Sequence, residues 1–451
     1  REVTITGVNW FGLETETFAP HGLWARSMDE LLDAVVAMGF NTLRVPFSNE
    51  LLDPGAVPNG IDFSRNPDLE GLSGLEVLDR LVVKAGLRGL KVILDRHRPS
   101  AGGQSELWYT SAYDEERWIA DWVMLAQRYK GNDTVIGFDL HNEPHGPATW
   151  GSGDPATDWR LAAERAANAI HAVNPNLLVI VEGIERYNNE GYWWGGNLQG
   201  AAQHPVRLSV PDRLVYSAHD YGPGVWEQSW FSDPAFPDNL APMWQRHWAY
   251  LAQQDVAPVL LGEFGGRSVG QDNEGTWQRT LVAFLKEHGV HYTYWSLNPN
   301  SGDTGGILQD DWATPHQDKL ALLQTYQAPL IGNRYPTLIN GQPAPWAAGL
   351  GTPAPTPTAT EAAPTATPTP TATPTPPRAA PPAQLQAQYR TGRPEAHTTN
   401  PAPEVRLRNT GSTPVDLARV EVRYWLSPRD TARPQALDVD WAGVGKERLG
   451  W

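Results

Sequence analysis

Residues 1–330 predict an α/β fold, a (β/α)8 TIM barrel, on three observations. Eight short apolar runs recur, helical periodicity separates them, and polar or aromatic residues cluster where the runs end. The runs are Val3–Trp10, Thr42–Val45, Lys91–Asp95, Val135–Leu140, Leu177–Val181, Leu214–Ser217, Pro258–Leu261 and Tyr292–Trp295. An open doubly wound sheet is the alternative, but no Gly-rich phosphate loop follows the first run.

The first helix is expected after Ser27, where Ser27-x-x-Glu30 forms a capping box ahead of Leu31, Leu32, Val35 and Val36. A second box, Ser73-x-x-Glu76, opens a helix carrying Leu75, Leu78 and Val82. Ala162, Ala166, Ala169 and Val173 mark another helical face. Strict strand–helix alternation is expected throughout this domain. Residues 331–381 are expected to be a linker. From Thr352 to Arg378 every residue is Pro, Thr or Ala except Glu361 and Arg378. Such a composition buries no apolar surface and stays extended, spanning roughly 80 Å at about 3.1 Å per residue. Residues 382–451 alternate apolar and polar positions, as in Val405–Gly411 and Val420–Trp425, which is the texture of a partial β-sandwich.

The formal net charge of −16 argues against a nucleic-acid partner, since no basic stripe offsets it. No apolar run is long enough to span a membrane. With no Cys, disulfides and thiolate metal sites are ruled out. The 20 Trp point to core packing and to a surface that stacks on flat ligands such as sugar rings. The chain starts at Arg1 with no Met or signal-peptide pattern, so a mature or trimmed terminus is expected. The Pro-Thr spacer favours a secreted, multi-module protein, and a monomer is expected.

In a barrel the reacting groups gather at the carboxyl ends of the strands. Those ends supply Trp10, Arg44, His97, Asn142, Glu143, His219, Tyr221, Glu263 and Trp295. Two glutamates, Glu143 after the fourth run and Glu263 after the seventh, are what glycoside hydrolysis by double displacement requires. Glu143 suits the acid/base, its pKa raised by partial burial and a neighbouring anion. Glu263 suits the nucleophile, with Arg44 and Tyr221 holding its charge. Asn142 is placed to donate to the sugar 2-hydroxyl, and Trp295 to lie beneath the ring. Trp194, beside Trp193 in a Gly-rich loop, is a candidate subsite wall. Glu182 is the competing carboxylate, and Asp139, alternating with Leu140, is expected to point away. His141 and His145 flank Glu143, but strand and loop do not put them on one face as a helix would. No metal and no cofactor are expected.

These stretches resemble glycoside hydrolase family 5, in particular its endo-β-1,4-glucanases. The matching motifs are Gly7-Val8-Asn9-Trp10-Phe11-Gly12, Thr42–Pro46, Leu94-Asp95-Arg96-His97-Arg98-Pro99, Asn142-Glu143-Pro144, His219-Asp220-Tyr221, Gly262–Gly265 and Tyr294–Pro299. They span residues 1–327 in family order. The resemblance implies Glu143 as acid/base and Glu263 as nucleophile, with Arg44, His97, Asn142, His219, Tyr221 and Trp295 completing the centre. It also implies a retaining endoglucanase acting on cellulose or β-glucan. Where the family pattern carries Cys in the first loop and after the third strand, this chain reads Glu14–Thr17 and Ser100–Gly103. The tail, with Gln384–Arg390, Asn409-Thr410-Gly411 and Val422–Trp425, resembles the start of a family 3 cellulose-binding module, and a truncated copy is expected.

Overall fold

The computed structural model describes residues 3–350 and two further segments, 385–391 and 403–409. Along the chain run β1 (Thr6–Asn9), α1 (Met28–Ala37), β2 (Thr42–Ser48), α2 (Gly74–Leu87), β3 (Lys91–Arg98), α3 (Glu115–Arg128), β4 (Val135–Asp139) and α4 (Trp159–Val173). There follow β5 (Leu178–Glu182), β6 (Leu214–His219), α5 (Leu240–Trp244), α6 (Tyr250–Gln253), β7 (Val259–Glu263), α7 (Asn273–His288), β8 (His291–Tyr294) and α8 (Gln317–Gln324). All eight strands pair in parallel, in chain order, and β8 returns to β1 to close a barrel. The open-sheet alternative is thereby excluded.

Local sequence explains the helix starts. Ser27 Oγ accepts from Glu30 N while Glu30 accepts from Ser27 N, and Ser73 with Glu76 repeats the arrangement at α2. Asp114 and Asp272 cap α3 and α7 through single side-chain acceptors. Strict alternation fails once. Between β5 and β6 the chain forms a two-residue-a-side hairpin, Arg186–Tyr187 with Glu190–Gly191, and no helix. The segment is broken by Gly183, Gly191, Gly195, Gly196 and Gly200, which leave no 3.6-residue apolar period to bury.

Two apolar layers hold the barrel. One lies between strands and helices and takes in Trp118, Trp122, Trp159, Trp244, Trp248 and Trp277. Most of the Trp excess is therefore core; among the described residues only Trp24, Trp194 and Trp226 are strongly exposed. The other layer plugs the bore: Ile93, Ile180 and Leu260, with Ile5 against them, come from alternate strands β3, β5, β7 and the approach to β1. Above that plug the bore turns polar, and there the site sits.

The linker expected from residue 331 begins later. Residues 327–346 cross the amino-terminal end of the barrel as a strap. Ala328 N donates to Thr6 Oγ1, Asn340 N to Arg128 O, and the Arg80 guanidinium lies 3.5 Å over the Trp346 ring. Asn333 is the strap's main anchor. Its Nδ2 donates to Gly86 O at 2.9 Å and Leu90 O at 2.8 Å, and its Oδ1 accepts from Lys91 Nζ at 2.7 Å. Side chains outside the plane of chemistry thus make residues 331–350 part of the barrel unit. Of the C-terminal sandwich expectation, the described part is one antiparallel ladder running from Leu385↔Asn409 to Thr391↔Pro403. The Pro/Thr linker and the remainder of 382–451 lie outside the described residues.

Asn333→Ala should lower unfolding free energy by about 2–3 kcal/mol, because two carbonyls and a buried ammonium lose partners. Turnover should be unchanged, since the strap is at the opposite end from the site. Chemical denaturation alongside an activity assay checks both, and unaltered stability would remove the strap's anchoring role.

Candidate active site

One fully buried cation organises the upper bore. Arg44, from β2, donates from Nε to Asp139 Oδ2 at 2.9 Å and from Nη1 to Glu263 Oε1 at 2.6 Å and Asn9 Oδ1 at 3.0 Å. Its Nη2 reaches Asn142 Oδ1 at 3.0 Å, Glu182 Oε1 at 3.1 Å and Asp95 Oδ2 at 3.1 Å. Four carboxylates share this one guanidinium. Asp139 accordingly points into the bore, contrary to expectation. Leu140 takes the outer layer, where its carbonyl accepts from Trp118 and Trp122, so the preceding residue faces the cation.

Glu263 ends β7 beside a register irregularity at Ala218/His219 on β6. Such breaks re-aim side chains at barrel rims. Position 262 faces inward, where a Cβ would crowd Ser217 Oγ and His219 Nε2, so only glycine fits. Glu263 Oε2 accepts from Tyr221 at 2.6 Å, and Oε1 from Arg44, which leaves the carboxylate fixed and 3% exposed.

Glu143 sits in the loop after β4 with φ +54°, a left-handed backbone that non-glycine residues seldom adopt. Two contacts hold it there: Glu143 N donates to Glu182 Oε2 at 2.7 Å, and Gln104 Nε2 donates to Glu143 Oε2 at 3.0 Å. His219 Nδ1 lies 3.0 Å from Glu143 Oε1 and 3.6 Å from Glu263 Oε2. One atom each from Glu143, His219 and Glu263 lie within 4.8 Å of one another. Two carboxylates from distant parts of the sequence are therefore brought close together in the bore.

His97 stands at the edge of this pair. Its Nδ1 is 2.6 Å from Asp95 Oδ2, and its ring stacks on Trp295 with centroids 5.3 Å apart. Burial pushes His97 down to about 4, so it is neutral near pH 7. Trp295 also stacks on Phe11. Asn142 spends its oxygen on Arg44 and leaves its buried Nδ2 without a protein partner, aimed as a free donor. Trp194 is 44% exposed and stacks on His145 at 3.8 Å, so it presents one flat face to solvent.

Several expectations change here. Trp10 is fully buried, its Nε1 donating to His21 O, and has no face for a ligand. Glu182 is fully buried with both oxygens engaged, which removes it as a competing catalytic carboxylate. Glu143 is not raised. Burial pushes it up, but the hydrogen bond and charge of His219, then Gln104 and His97, bring it below the usual value. The missing proton is next door: burial disfavours a charged His219, yet Glu182, Glu263 and Glu143 together hold its pKa well above the usual value. The surplus of acids over Arg44 shows elsewhere. Burial, only partly offset by Arg44, raises Asp95 and Asp139 each to about 6, and burial raises Glu182 to about 8. Neither flanking histidine converges on Glu143 as a ligand set: His141 Nδ1 meets Arg96, and His145 Nδ1 meets the Glu143 carbonyl oxygen. Gln104, Asn9 and Asp95 join the site beyond the strand-end residues that the sequence marks. Asp95 had a signal, two residues before His97 on one strand face; a lone loop Gln104 had none.

Residues 2–301 match the family model described as cellulase (glycosyl hydrolase family 5), and residues 386–450 match one described as cellulose binding domain. The chain is 57% identical over 335 residues to an endoglucanase of Paenibacillus polymyxa, covering 73% of this chain and 84% of that protein. It is 47% identical over 329 residues to the major extracellular endoglucanase of Xanthomonas campestris pv. campestris, covering 72% and 67%. Among solved structures, a hyperthermophilic endocellulase from Pyrococcus horikoshii aligns with TM-score 0.69 at 43% identity, covering 72% of this chain and 92% of that one.

Burial keeps Glu182 neutral in the fold up to about 8, well above the ordinary carboxyl range, so the folded chain binds the extra proton. Stability from this group is present at low pH and lost as pH rises through that window; His219, also raised, acts with the same sign. The thermal midpoint should therefore fall between about pH 5 and about pH 9, and Glu182→Gln should lessen the fall. Calorimetry over that range checks it; identical slopes in both proteins would contradict the assignment.

Proposed function

The chain belongs to glycosyl hydrolase family 5 and is a cellulase of the endoglucanase kind, and from that premise we propose a retaining endo-β-1,4-glucanase. It cleaves internal glucosidic bonds of cellulose or mixed-linkage β-glucan by double displacement. The observation that carries this reading is the Glu143–Glu263 pair, one oxygen of each lying within 4.8 Å of the other, the close approach that double displacement by two carboxyl groups needs. Cellotetraose complexes of the Pyrococcus horikoshii endocellulase support a β-glucan chain as the ligand class.

Glu263, ionised between Arg44 and Tyr221, attacks the anomeric carbon. The glycosidic bond breaks as Glu143 gives a proton to the leaving oxygen, forming a glycosyl ester on Glu263. That proton is drawn from the Glu143–His219 pair, whose nitrogen and oxygen are 3.0 Å apart. Glu143 then takes a proton from water, which attacks the same carbon and frees Glu263 with the original configuration restored. Asn142 Nδ2 donates to the 2-hydroxyl, His97 offers a neutral ring edge, and Trp295 lies beneath the sugar. Trp194 serves a flanking subsite. The route uses no cofactor.

The protein acts outside the cell as a monomer, with residues 382–451 a cellulose-binding module on the Pro/Thr linker. The extracellular Xanthomonas relative supports the location, and the cellulose-binding match supports the module. Among the described residues no helix is long and apolar enough to cross a membrane.

Glu143→Gln and Glu263→Gln should each reduce turnover of carboxymethyl cellulose by at least about 1,000-fold. Proton NMR of the first product formed from cellotetraose should show the β-anomer. An initial α-anomer, or near-normal turnover in either variant, would overturn the proposal.

A further inference from the structure

The geometry points to Glu182 as the positioning residue of the acid/base: it fixes the backbone of Glu143 with one oxygen and aims His219 at the Glu143 carboxyl with the other. This rests on the acid/base reading of Glu143 given above.

The contacts are specific. Glu182 Oε2 takes the Glu143 N–H at 2.7 Å, a bond that ties the backbone of the left-handed residue at φ +54° to the barrel wall. Glu182 Oε1 lies 3.3 Å from His219 Nε2, an ion-pair contact rather than an aligned hydrogen bond, while His219 Nδ1 lies 3.0 Å from Glu143 Oε1. The imidazole is thus a bridge with a carboxyl group at each nitrogen. Glu182 itself cannot drift: Arg44 Nη2 holds Oε1, and Trp159 Nε1, from α4, donates to the Glu182 carbonyl at 2.9 Å. Gly195 closes the remaining side, for a Cβ there would collide with Glu182 Oε2 and press on the Glu143 Cα. Glu182 is fully buried, so it touches no sugar and acts only through Glu143 and His219. Packing alone would be served by an apolar residue at lower desolvation cost.

The charged groups facing Glu182 are Arg44 from β2, Asp95 from β3, Asp139 from β4, His219 from β6 and, through Arg44, Glu263 from β7. Glu182 ionises only as pH rises through about 8, so a glutamine there withholds that negative charge on the alkaline side and eases ionisation of the groups that remain. The His219–Glu143 pair then releases its proton at lower pH, and the alkaline limb of kcat/KM moves down.

Glu182→Gln keeps the shape and removes the ionisable group. Hydrolysis of cellotetraose needs the acid, whereas glycosylation by 2,4-dinitrophenyl β-cellobioside does not, because that phenolate leaves without a proton. We expect kcat/KM on cellotetraose to fall about 100-fold, as for a misplaced catalytic group, with the activated substrate held within about threefold. The alkaline limb should shift down. The ratio of the two substrates is independent of the fraction folded. Equal losses on both substrates, or no loss, would overturn the inference. Glu143→Ala is the reference: if it fails to spare the activated substrate, the acid/base reading itself falls; if it spares it and Glu182→Gln does not, only the role of Glu182 falls. Should Glu182→Gln not fold, Gly195→Ala presses on the same contact without changing charge and must show the same substrate discrimination.

Discussion

The buried guanidinium of Arg44 is the constraint on which the site depends. A lone cation in that bore would be costly to desolvate, and so would any of its acids alone. Together, Asp95, Asp139, Glu182 and Glu263 converge from four strands on one planar donor. Because the guanidinium is rigid and its donors fork at fixed angles, each carboxylate is held in place by where the others sit. The nucleophile candidate Glu263 is oriented by this set together with Tyr221, which holds its other oxygen.

Four acids against one cation leave an electrostatic surplus, and the fold settles it by retaining protons. Asp95, Asp139 and Glu182 are displaced upward by burial, with Arg44 too divided to compensate. Next to them His219 is held charged despite being buried. The acid/base candidate Glu143 therefore does not store its own proton, since the neighbouring imidazolium lowers it. A carboxyl group and an imidazole 3.0 Å apart act as one proton-holding unit, with macroscopic behaviour belonging to the pair.

Stability and chemistry are separated along the barrel axis. The aliphatic plug of Ile5, Ile93, Ile180 and Leu260 fills the bore beneath the charged tier and keeps water from below. The strap anchored by Asn333 covers the far end. With the bore sealed beneath, the polar tier is approached from the loop side, where Trp194 presents its free face and the Asn142 amide has an unspent donor. Strain at Glu143 is tolerated because Glu182 and Gln104 over-determine its position.

The sequence by itself determined the eight strands, the helix starts at Ser27 and Ser73, and the two glutamates at strand ends, because period-2 and period-3.6 burial and capping are local properties. It also placed His97, Asn142, His219, Tyr221 and Trp295 at the carboxyl ends of the strands, whereas Arg44 lies early in β2, which runs on to Ser48. Which way Asp139 faces, why Trp10 is closed off, that Glu182 braces rather than competes, and that 331–350 pack on the barrel were decided only by tertiary structure. A side chain's phase near a register break depends on which partners the closed barrel brings opposite it. Likewise a carboxyl group's proton depends on charges contributed by strands far away in the chain, and neither quantity is written in any local window.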